Sequence, residues 1–316
     1  MNIQTYLHTL TSILILGIVI LLVVWLKERG LLKEENGVLF SKLVTQVTLP
    51  ALIFDALARS TFEWQYVVLF VYLFLTELLL LAIAWSAGKL LKLSSAQMGS
   101  FLLVSAFGSS ALLGYALIVE LYPHNTAALM EGVFVSELGV GLPLFTIGVM
   151  VMMYYGQKEK STNTPLHGAM LFFRSPIFLA IVFGLLWSFS PLGIKGILIT
   201  PLFEATHIIA KANTFLVALT VGALLNFSSM RQIAGMAFAA VVIKLILSPL
   251  FIFLPASMLT LDNWQMQVLL LEAAMPSAML SVVLAKQYGC DAKLAAKLVF
   301  ITLFASLFTV PLMINL

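Results

Sequence analysis

Long apolar runs fill most of the chain, and polar residues are confined to short segments between them. The runs are about 20 residues long, the length of an α-helix that crosses the hydrocarbon core of a bilayer. Strands of a membrane barrel would instead alternate apolar and polar positions over about ten residues. The pattern predicts an all-α polytopic membrane protein, with ten transmembrane helices at residues 6–26, 37–58, 64–88, 97–121, 127–155, 168–189, 198–225, 232–257, 266–288 and 293–315.

The composition supports a chain that lies in the lipid bilayer. Hydrophobic residues make up 61% and charged residues 10% of the sequence, whereas soluble domains average about 45–50% and 25%. The first apolar run is longer than the core of a signal peptide, and its basic residues follow the run instead of preceding it. We therefore expect a retained first helix.

Basic residues are distributed unevenly between the two sets of loops. Twelve of the 17 Lys and Arg residues lie in loops, or at helix ends, after odd-numbered helices. The loops after even-numbered helices hold only Arg59 and Lys195. Because basic loops stay in the cytoplasm, this bias predicts a multi-pass protein of the cell membrane with both termini outside the cytoplasm.

An internal repeat relates the two halves of the chain at a constant offset of 168 residues. The offset pairs residues that begin or interrupt helices: Gln97 with Gln265, Gly108 with Pro276, Ser109 with Ser277, and Pro143 with Pro311. We interpret residues 1–155 as a first five-helix repeat, 156–167 as a cytoplasmic linker, and 168–316 as a second repeat. Because five is an odd number, the second repeat is expected to be inverted in the membrane, as in many secondary transporters.

Helices four and nine are predicted to break at matching positions. Pro276 lacks a backbone donor and clashes with the preceding turn, and two glycines weaken helix four near its middle. Non-helical backbone at this depth must be buried in protein or line a cavity, and free half-helix amides favour an anion. The candidate substrate-binding residues are Gly108, Ser109, Ser110, Gly114, Pro276 and Ser277. The alternative is that these small residues only allow close helix packing.

Acidic residues inside the predicted helices are candidates for proton coupling. Glu272 lies one helical turn before Pro276, and an ionisable residue beside a broken membrane helix indicates a functional site. Glu137 and Asp55 are further candidates, the second near the end of its helix, where it could reach water. Glu77 lies mid-helix without an evident partner. The alternative for Glu272 is a structural hydrogen bond to a neighbour, and for Asp55 it is an interfacial position. For Glu77 a structural pair and a proton relay are both open.

Basic residues within the helices offer charge partners. Lys211 lies deep in helix seven with Asn213 close behind it. It could pair with a substrate carboxylate or with one of the acids, and a structural salt bridge is the alternative. Lys42 and Lys244 could extend toward the membrane surface or pair with an acid.

The sequence carries no signature of an enzyme or of a metal site. It has no HExxH, Gly-x-Ser-x-Gly or phosphate-binding Gly-rich motif. Its four histidines are scattered, and the single cysteine, Cys290, rules out an internal disulfide. We predict a protein that is not an enzyme, holds no metal or cofactor, and has no nucleic-acid partner.

Two segments resemble the auxin efflux carrier family, whose bacterial members include organic-anion permeases. One is VTLPALIFD, which ends at Asp55, and the other is AAMPSAMLSVVLAKQYG, residues 273–289. The resemblance implies two inverted five-helix repeats, crossing breaks in helices four and nine, a scaffold domain that moves against a transport domain, and a dimer. The chain departs from the family at the first crossing, where the residues from Ser109 read Ser-Ser-Ala in place of Asn-Thr-Gly and Ala116 replaces a proline.

Two functions fit these features. The leading interpretation is a secondary transporter that moves a small organic anion across the membrane by alternating access, with the anion held between the breaks and Glu272 coupling transport to a proton. The alternative is a membrane sensor or partner protein that keeps the fold without transport, which the altered first crossing favours. The expected partners are the anion, a proton, the lipid bilayer and a second copy of the chain.

Overall fold

The described part of the molecule is built from helices. The computed structural model describes residues 3–59, 63–156, 173–190, 193–194, 196–197, 199–224 and 233–316. Its helices are α1 (Ile3–Glu28), α2 (Glu35–Arg59), α3 (Gln65–Leu90), α4 (Ser95–Ala106), α5 (Tyr115–Leu121), α6 (Thr126–Tyr155), α7 (Pro176–Ser188), α8 (Ile199–Lys211), α9 (Asn213–Leu224), α10 (Ala234–Ala256), α11 (Asn263–Ala274), α12 (Leu280–Tyr288) and α13 (Ala292–Met313). The predicted all-α class is confirmed, and nearly all of the predicted linker 156–167 lies outside the described residues.

Six segments of the described chain are long and apolar enough to cross a membrane: α2, α3, α6, the α8–α9 pair, α10 and α13. The shorter helix α7 is also apolar. Predicted helices four and nine are each interrupted near the middle, which gives α4 followed by α5 and α11 followed by α12. The two interruptions are confirmed, whereas the total of ten spans and the inverted arrangement stay predictions.

The two broken helices begin and end at matching positions along the chain. α4 starts after Ser94, whose side chain accepts a hydrogen bond from the Gln97 backbone while the Gln97 side chain accepts one from the Ser94 backbone. α11 starts with the same reciprocal pair, made by Asp262 and Gln265. Both helices then run for 12 residues, so their bounds differ by the predicted offset. Such a capping box satisfies two backbone donors that a helix start leaves free, which explains why the glutamines recur.

Buried apolar side chains form two clusters, and the broken end of α11 lies between them. One cluster takes side chains from α3, α4, α10, α12 and α13, Phe101 among them. The other takes side chains from α2, α5, α7 and α9, Tyr115 among them. α11 contributes Leu270 to the first cluster and Leu271 to the second. The segment that precedes the second break is therefore packed against protein on both faces.

The turn between α12 and α13 encloses the single cysteine. Gly289 ends α12 with a left-handed backbone (φ +79°), and the Cys290 N–H donates to the Ala285 carbonyl at 2.8 Å. The Cys290 Sγ lies 3.6 Å from the Met152 carbonyl, and a methyl group on Gly99 would lie 2.6 Å from that sulfur. The thiol is therefore packed between neighbouring helices and only partly exposed.

We expect Cys290 to react slowly with iodoacetamide. Burial raises the pKa of the Cys290 thiol to about 11, and the neighbouring Asp291 carboxylate adds to the effect. Because the thiolate is the nucleophile, roughly one thiol in 10⁴ would be reactive at pH 7. Alkylation followed by mass spectrometry in mild detergent should accelerate about tenfold per pH unit between pH 7 and 10. A rate at pH 7 equal to that of a free cysteine peptide would contradict this expectation.

Candidate functional site

The two broken helices cross and join through their backbones. The Ser109 N–H donates to the Pro276 carbonyl at 2.7 Å, and the Ala278 N–H donates to the Phe107 carbonyl at 2.8 Å. The two segments run antiparallel between these bonds. Lipid could not satisfy the backbone groups that a broken helix releases, so the two breaks satisfy some of each other's groups.

Ser277, a predicted substrate-binding residue, makes its bonds within the crossing. Its hydroxyl donates to the Val104 carbonyl at 2.6 Å and accepts from the Thr302 hydroxyl at 2.9 Å. Its backbone faces Gly108 across the antiparallel bridge. Ser277 thus ties the second break to α4 and α13 in this conformation, and a contact between Ser277 and substrate stays a prediction.

Ser110 is buried at the first break, within reach of the Glu272 carboxyl group. The side chain is buried, and its oxygen makes no hydrogen bond of good geometry to a described residue. It begins the π-helical turn Ser110–Gly114 that leads into α5, and it lies beside the Glu272 carboxyl group. Buried polar groups are normally hydrogen-bonded, so an exception at a helix break indicates a functional position.

A buried ion pair lies behind the crossing. The Lys244 Nζ lies 3.2 Å from Glu77 Oε1, 3.3 Å from the Ala273 carbonyl and 3.4 Å from Ser248 Oγ. Neither side chain of the ion pair is exposed. Lys244 also packs against the first break, because a methyl group on Gly108 would lie 3.1 Å from Lys244 Cε. The ion pair gives Glu77 the partner that the sequence did not reveal, and it places a positive charge next to both breaks.

Glu272 is fully buried one turn before the second break. Neither of its carboxyl oxygens makes a hydrogen bond of good geometry to a described residue. The carboxyl group lies in the space left by two glycines: a methyl group on Gly114 would lie 2.8 Å from Oε1, and one on Gly132 would lie 3.3 Å from it. Lys244 and Glu137 are within electrostatic range. Since an unsatisfied buried carboxyl group costs stability, packing alone does not account for Glu272.

Glu137 lies near Glu272 and is hydrogen-bonded. Its Oε1 accepts a hydrogen bond from the Tyr115 hydroxyl at 2.9 Å, and the same hydroxyl pairs with Ser136. Glu137 starts a π-helical turn within α6, a helix defect that is frequent at functional sites. The structure therefore brings two of the three predicted proton-coupling residues, Glu272 and Glu137, into one electrostatic neighbourhood.

Glu131 is a candidate that the sequence analysis missed. It is fully buried in α6, and both of its oxygens lack a hydrogen bond of good geometry to a described residue. It lies within electrostatic range of Glu272 and of Glu63. A signal was present in the sequence, since an acid within the predicted fifth helix is followed directly by Gly132 and has no base within one turn.

Asp55, the third predicted coupling residue, belongs to a different cluster. Its Oδ1 accepts a hydrogen bond from Arg59 Nε at 2.8 Å, and its Oδ2 lies 2.9 Å from His207 Nδ1. These contacts occupy both oxygens and link α2 to α8, which favours the structural alternative for Asp55. No group of three His, Cys, Asp or Glu side chains suited to a metal ion occurs here or elsewhere in the described ranges.

Lys211 and Asn213 lie on either side of a helix joint. A turn at Ala212 interrupts the predicted seventh helix, where the Ala212 N–H donates to the Ile209 carbonyl at 3.2 Å. Lys211 is the last residue of α8 and is exposed on the surface of the chain. It lies at the middle of the candidate span Ile199–Ala223, and its depth in the membrane stays a prediction. Asn213 is buried and accepts a hydrogen bond from the Thr48 hydroxyl at 2.9 Å. The Lys211 ammonium forms no ion pair with a described residue.

Two cavities lie side by side between Lys211 and the crossing. The larger, about 210 Å³, is lined by Lys211, Glu120 and Thr214 and by apolar residues of α1, α5 and α9. The smaller, about 30 Å³, touches Pro276 at the second break and has room for about one water molecule. Leu117 lines both cavities.

Broken helices that cross inside an all-helical membrane protein are a recurrent feature of membrane transporters. Comparison with protein families agrees, because the model of the membrane transport protein family matches residues 8–314. The chain belongs to this family, which is that of the auxin efflux carriers. The protein is therefore a multi-pass membrane transporter.

Related proteins match nearly the whole chain. An uncharacterized transporter of Methanothermobacter thermautotrophicus is 28% identical over 314 residues, covering 96% of each chain. An uncharacterized transporter of Methanocaldococcus jannaschii is 25% identical over 311 residues, covering 95% of this chain and 96% of its own. The uncharacterized transporter YfdV of Escherichia coli K12 is 23% identical over 297 residues, covering 91% and 90%. Each match extends over both halves of the chain.

Proposed function

We propose that the protein is a secondary transporter that moves a small organic carboxylate across the cell membrane by alternating access, together with a proton. The observation that carries the proposal is Glu272. Its carboxyl group is fully buried without a hydrogen bond of good geometry to a described residue, and it lies one turn from the crossing of two broken helices. The family supports the transport function.

The proposed architecture has ten spans in two inverted five-helix repeats, residues 1–155 and 168–316, with both termini outside the cytoplasm. The matching bounds and capping boxes of α4 and α11 support the repeat. The antiparallel contact between the two breaks supports a two-fold relation between the halves. Inverted repeats give a transporter two related conformations, one open to each side of the membrane.

The proposed substrate site lies at the crossing and includes Gly108, Ser109, Ser110, Gly114, Pro276 and Ser277. One cation, Lys211 at the larger cavity, supplies a favourable potential for an anion, whereas the charge of Lys244 behind the breaks is balanced by Glu77. The larger cavity, at about 210 Å³, can admit a small carboxylate, whereas the cavity at the crossing, at about 30 Å³, cannot. The crossing is therefore closed in this conformation, and binding there requires α1 and α13 to move away from the breaks.

Proton coupling through Glu272 follows from charge repulsion. An ionised Glu272 and a substrate carboxylate at the crossing would repel each other strongly in a low-dielectric site. Substrate binding is therefore favoured when Glu272 holds a proton, and release of the proton favours release of the substrate. This linkage makes the proposed transporter a symporter of a proton and an anion.

Uptake of labelled mono- and dicarboxylates into proteoliposomes tests the proposal, with and without an imposed pH gradient. We expect gradient-driven accumulation by the wild-type protein and a loss of at least about tenfold in Glu272→Gln, equivalent to about 1.4 kcal/mol. Glu204→Gln, which changes an exposed acid on α8, serves as the control and should resemble the wild type.

The other outcomes discriminate between functions. Saturable uptake that ignores the pH gradient would contradict proton coupling and leave a uniporter. An absence of flux for every anion, from protein shown to be folded, would contradict transport of carboxylates. Ligand binding without flux would then identify a membrane sensor on the same fold, which is the function that the altered first crossing favours.

A further inference from the structure

A row of polar side chains leads from the exposed end of α11 to the crossing. Gln265 lies in the first turn of α11 and Glu272 lies seven residues later, so both occupy the same face of the helix, about 10 Å apart along its axis. Glu63 stands at the exposed end, where Gln265 Nε2 lies 3.5 Å from Glu63 Oε2. A proton that moves from Glu63 to Glu272 needs a further polar side chain between them.

A third acid, Glu131, lies close to both Glu63 and Glu272. Helix α6, which carries it, packs against α11. The approach is close because a methyl group on Gly132 would lie only 3.3 Å from Glu272 Oε1 and 3.5 Å from Val268 Cγ1. Glu131 is within electrostatic range of Glu63 on one side and of Glu272 on the other.

A structural role accounts only in part for Glu131. A carboxyl group that stabilises packing accepts hydrogen bonds or pairs with a base. The Gln265 side chain is within reach of Glu131 as a donor and also contacts Glu63. Neither oxygen of Glu131 makes a hydrogen bond of good geometry to a described residue, and its charged neighbours on the facing elements, Glu63 and Glu272, are both acids. The other titratable groups that face it, Tyr66 and Tyr122, are phenols, whose ordinary pKa is about 10.

Three other titratable side chains lie near Glu272. Glu137 and Tyr115 face it from α6 and α5, and Lys244 faces it from α10. Tyr115 donates to Glu137, and Lys244 is bound by Glu77. Each of these groups has a base or a good hydrogen-bond partner, whereas Glu131 has only the amide of Gln265, which it shares with Glu63, in the described part of the chain. Glu131 is therefore the acid through which a proton can reach Glu272.

We propose that Glu131 relays protons between the exposed end of α11, marked by Glu63, and Glu272 at the crossing. The inference rests on the proposed proton-coupled transport. In the relay, the protonated Glu131 carboxyl group gives its proton to the Glu272 carboxylate, directly or through one water, as its O–H bond breaks. A hydronium ion at Glu63 then protonates the Glu131 carboxylate, which forms a new O–H bond and leaves a water molecule, so that Glu131 returns to its neutral form. No electron transfer or co-reactant is involved.

Glu131→Gln tests whether Glu131 relays protons or is required for transport in general. Glutamine keeps the shape of the side chain and cannot carry the proton. Proteoliposomes with an internal pH indicator report proton movement with substrate, and exchange of labelled for unlabelled substrate across the membrane reports transport without net proton movement. We expect proton-coupled uptake to fall at least about tenfold while substrate exchange is retained. Glu131→Asp should restore part of the coupled uptake, and Glu204→Gln should resemble the wild type.

Glu63→Gln provides a second variant, because Glu63 is exposed and its replacement does not disturb the core. We expect a smaller loss of proton-coupled uptake than in Glu131→Gln, since water can partly replace an exposed carboxylate. If Glu131→Gln does not fold, as judged by its thermal unfolding, Glu63→Gln and Glu131→Asp decide, and wild-type coupling in both would overturn the relay.

The remaining outcomes separate the relay from the proposed function. Coupled uptake by Glu131→Gln at the wild-type rate would overturn the relay and leave the proton-coupled transporter intact. Loss of substrate exchange together with coupled uptake would also overturn the relay, because it would show a general requirement for Glu131. Net uptake of substrate by the wild type without any proton movement would overturn both the relay and proton coupling, and transport itself would stand.

Discussion

Lys244→Met should lower the free energy of unfolding by about 3–5 kcal/mol, the usual result of removing one partner of a buried ion pair. Methionine preserves the volume that packs against the first break, but it leaves Glu77 fully buried without its cation. The Ala273 carbonyl also loses its contact with the ammonium group. Thermal or denaturant unfolding in detergent, followed by tryptophan fluorescence, measures the change.

A double variant distinguishes the effect of losing the ion pair from the effect of losing side-chain packing. Lys244→Met combined with Glu77→Met removes both charges, and we expect most of the stability to return, because apolar replacements of a buried pair are often neutral or stabilising. Lys42→Met is the matched control, since Lys42 is an exposed lysine of α2. Stability of the single Lys244 variant within about 1 kcal/mol of the wild type would show that the pair makes no net contribution.

Gly114→Ala should reduce transport at least about tenfold. A displacement of a reactive group by up to about 1 Å is enough for a loss of this size. The added methyl group would lie 2.8 Å and 2.9 Å from the two oxygens of Glu272, so the carboxyl group must move. The carboxyl end of the side chain is flexible, so the helix itself is not expected to unfold. Gly114→Val should give a larger loss because it fills more of the same space.

The control for this prediction is Gly235→Ala. A methyl group there would make an ordinary contact of 3.5 Å with Leu91 Cδ2. Both changes replace a helical glycine by alanine, which favours the helix by about 0.5–1 kcal/mol. Proteoliposome uptake and thermal unfolding, measured in parallel, distinguish the two positions. Full transport by Gly114→Ala would show that the position of the Glu272 carboxyl group does not limit function.

The parts of the fold that could be predicted are those with local causes. Pro276 interrupts a helix wherever it lies, and the recurrence of Gln97 and Gln265 marked two helix starts that share a capping mechanism. Apolar runs of sufficient length likewise define membrane helices without reference to their neighbours. The helical class, the two breaks and the offset between them followed from such signals.

The parts that could not be predicted depend on contacts between distant segments. Glu77 and Lys244 are 167 residues apart, and no local pattern indicates that they meet. The turn at Ala212, which divides the predicted seventh helix after Lys211, has no proline or glycine to mark it in the sequence. Glu131 was a different case, since its position within a predicted helix was enough to nominate it, and the structure adds that its charged neighbours are acids.

The bond between the two breaks has a consequence for how the chain is made. Ser109 and Pro276, whose backbones pair in the crossing, are synthesised roughly 10–30 s apart at the usual 5–20 residues per second. During that interval the first break has backbone groups that lipid cannot satisfy. We therefore expect the newly made first half of the chain to remain at the insertion machinery, in contact with water or with an assisting protein, until the second half arrives.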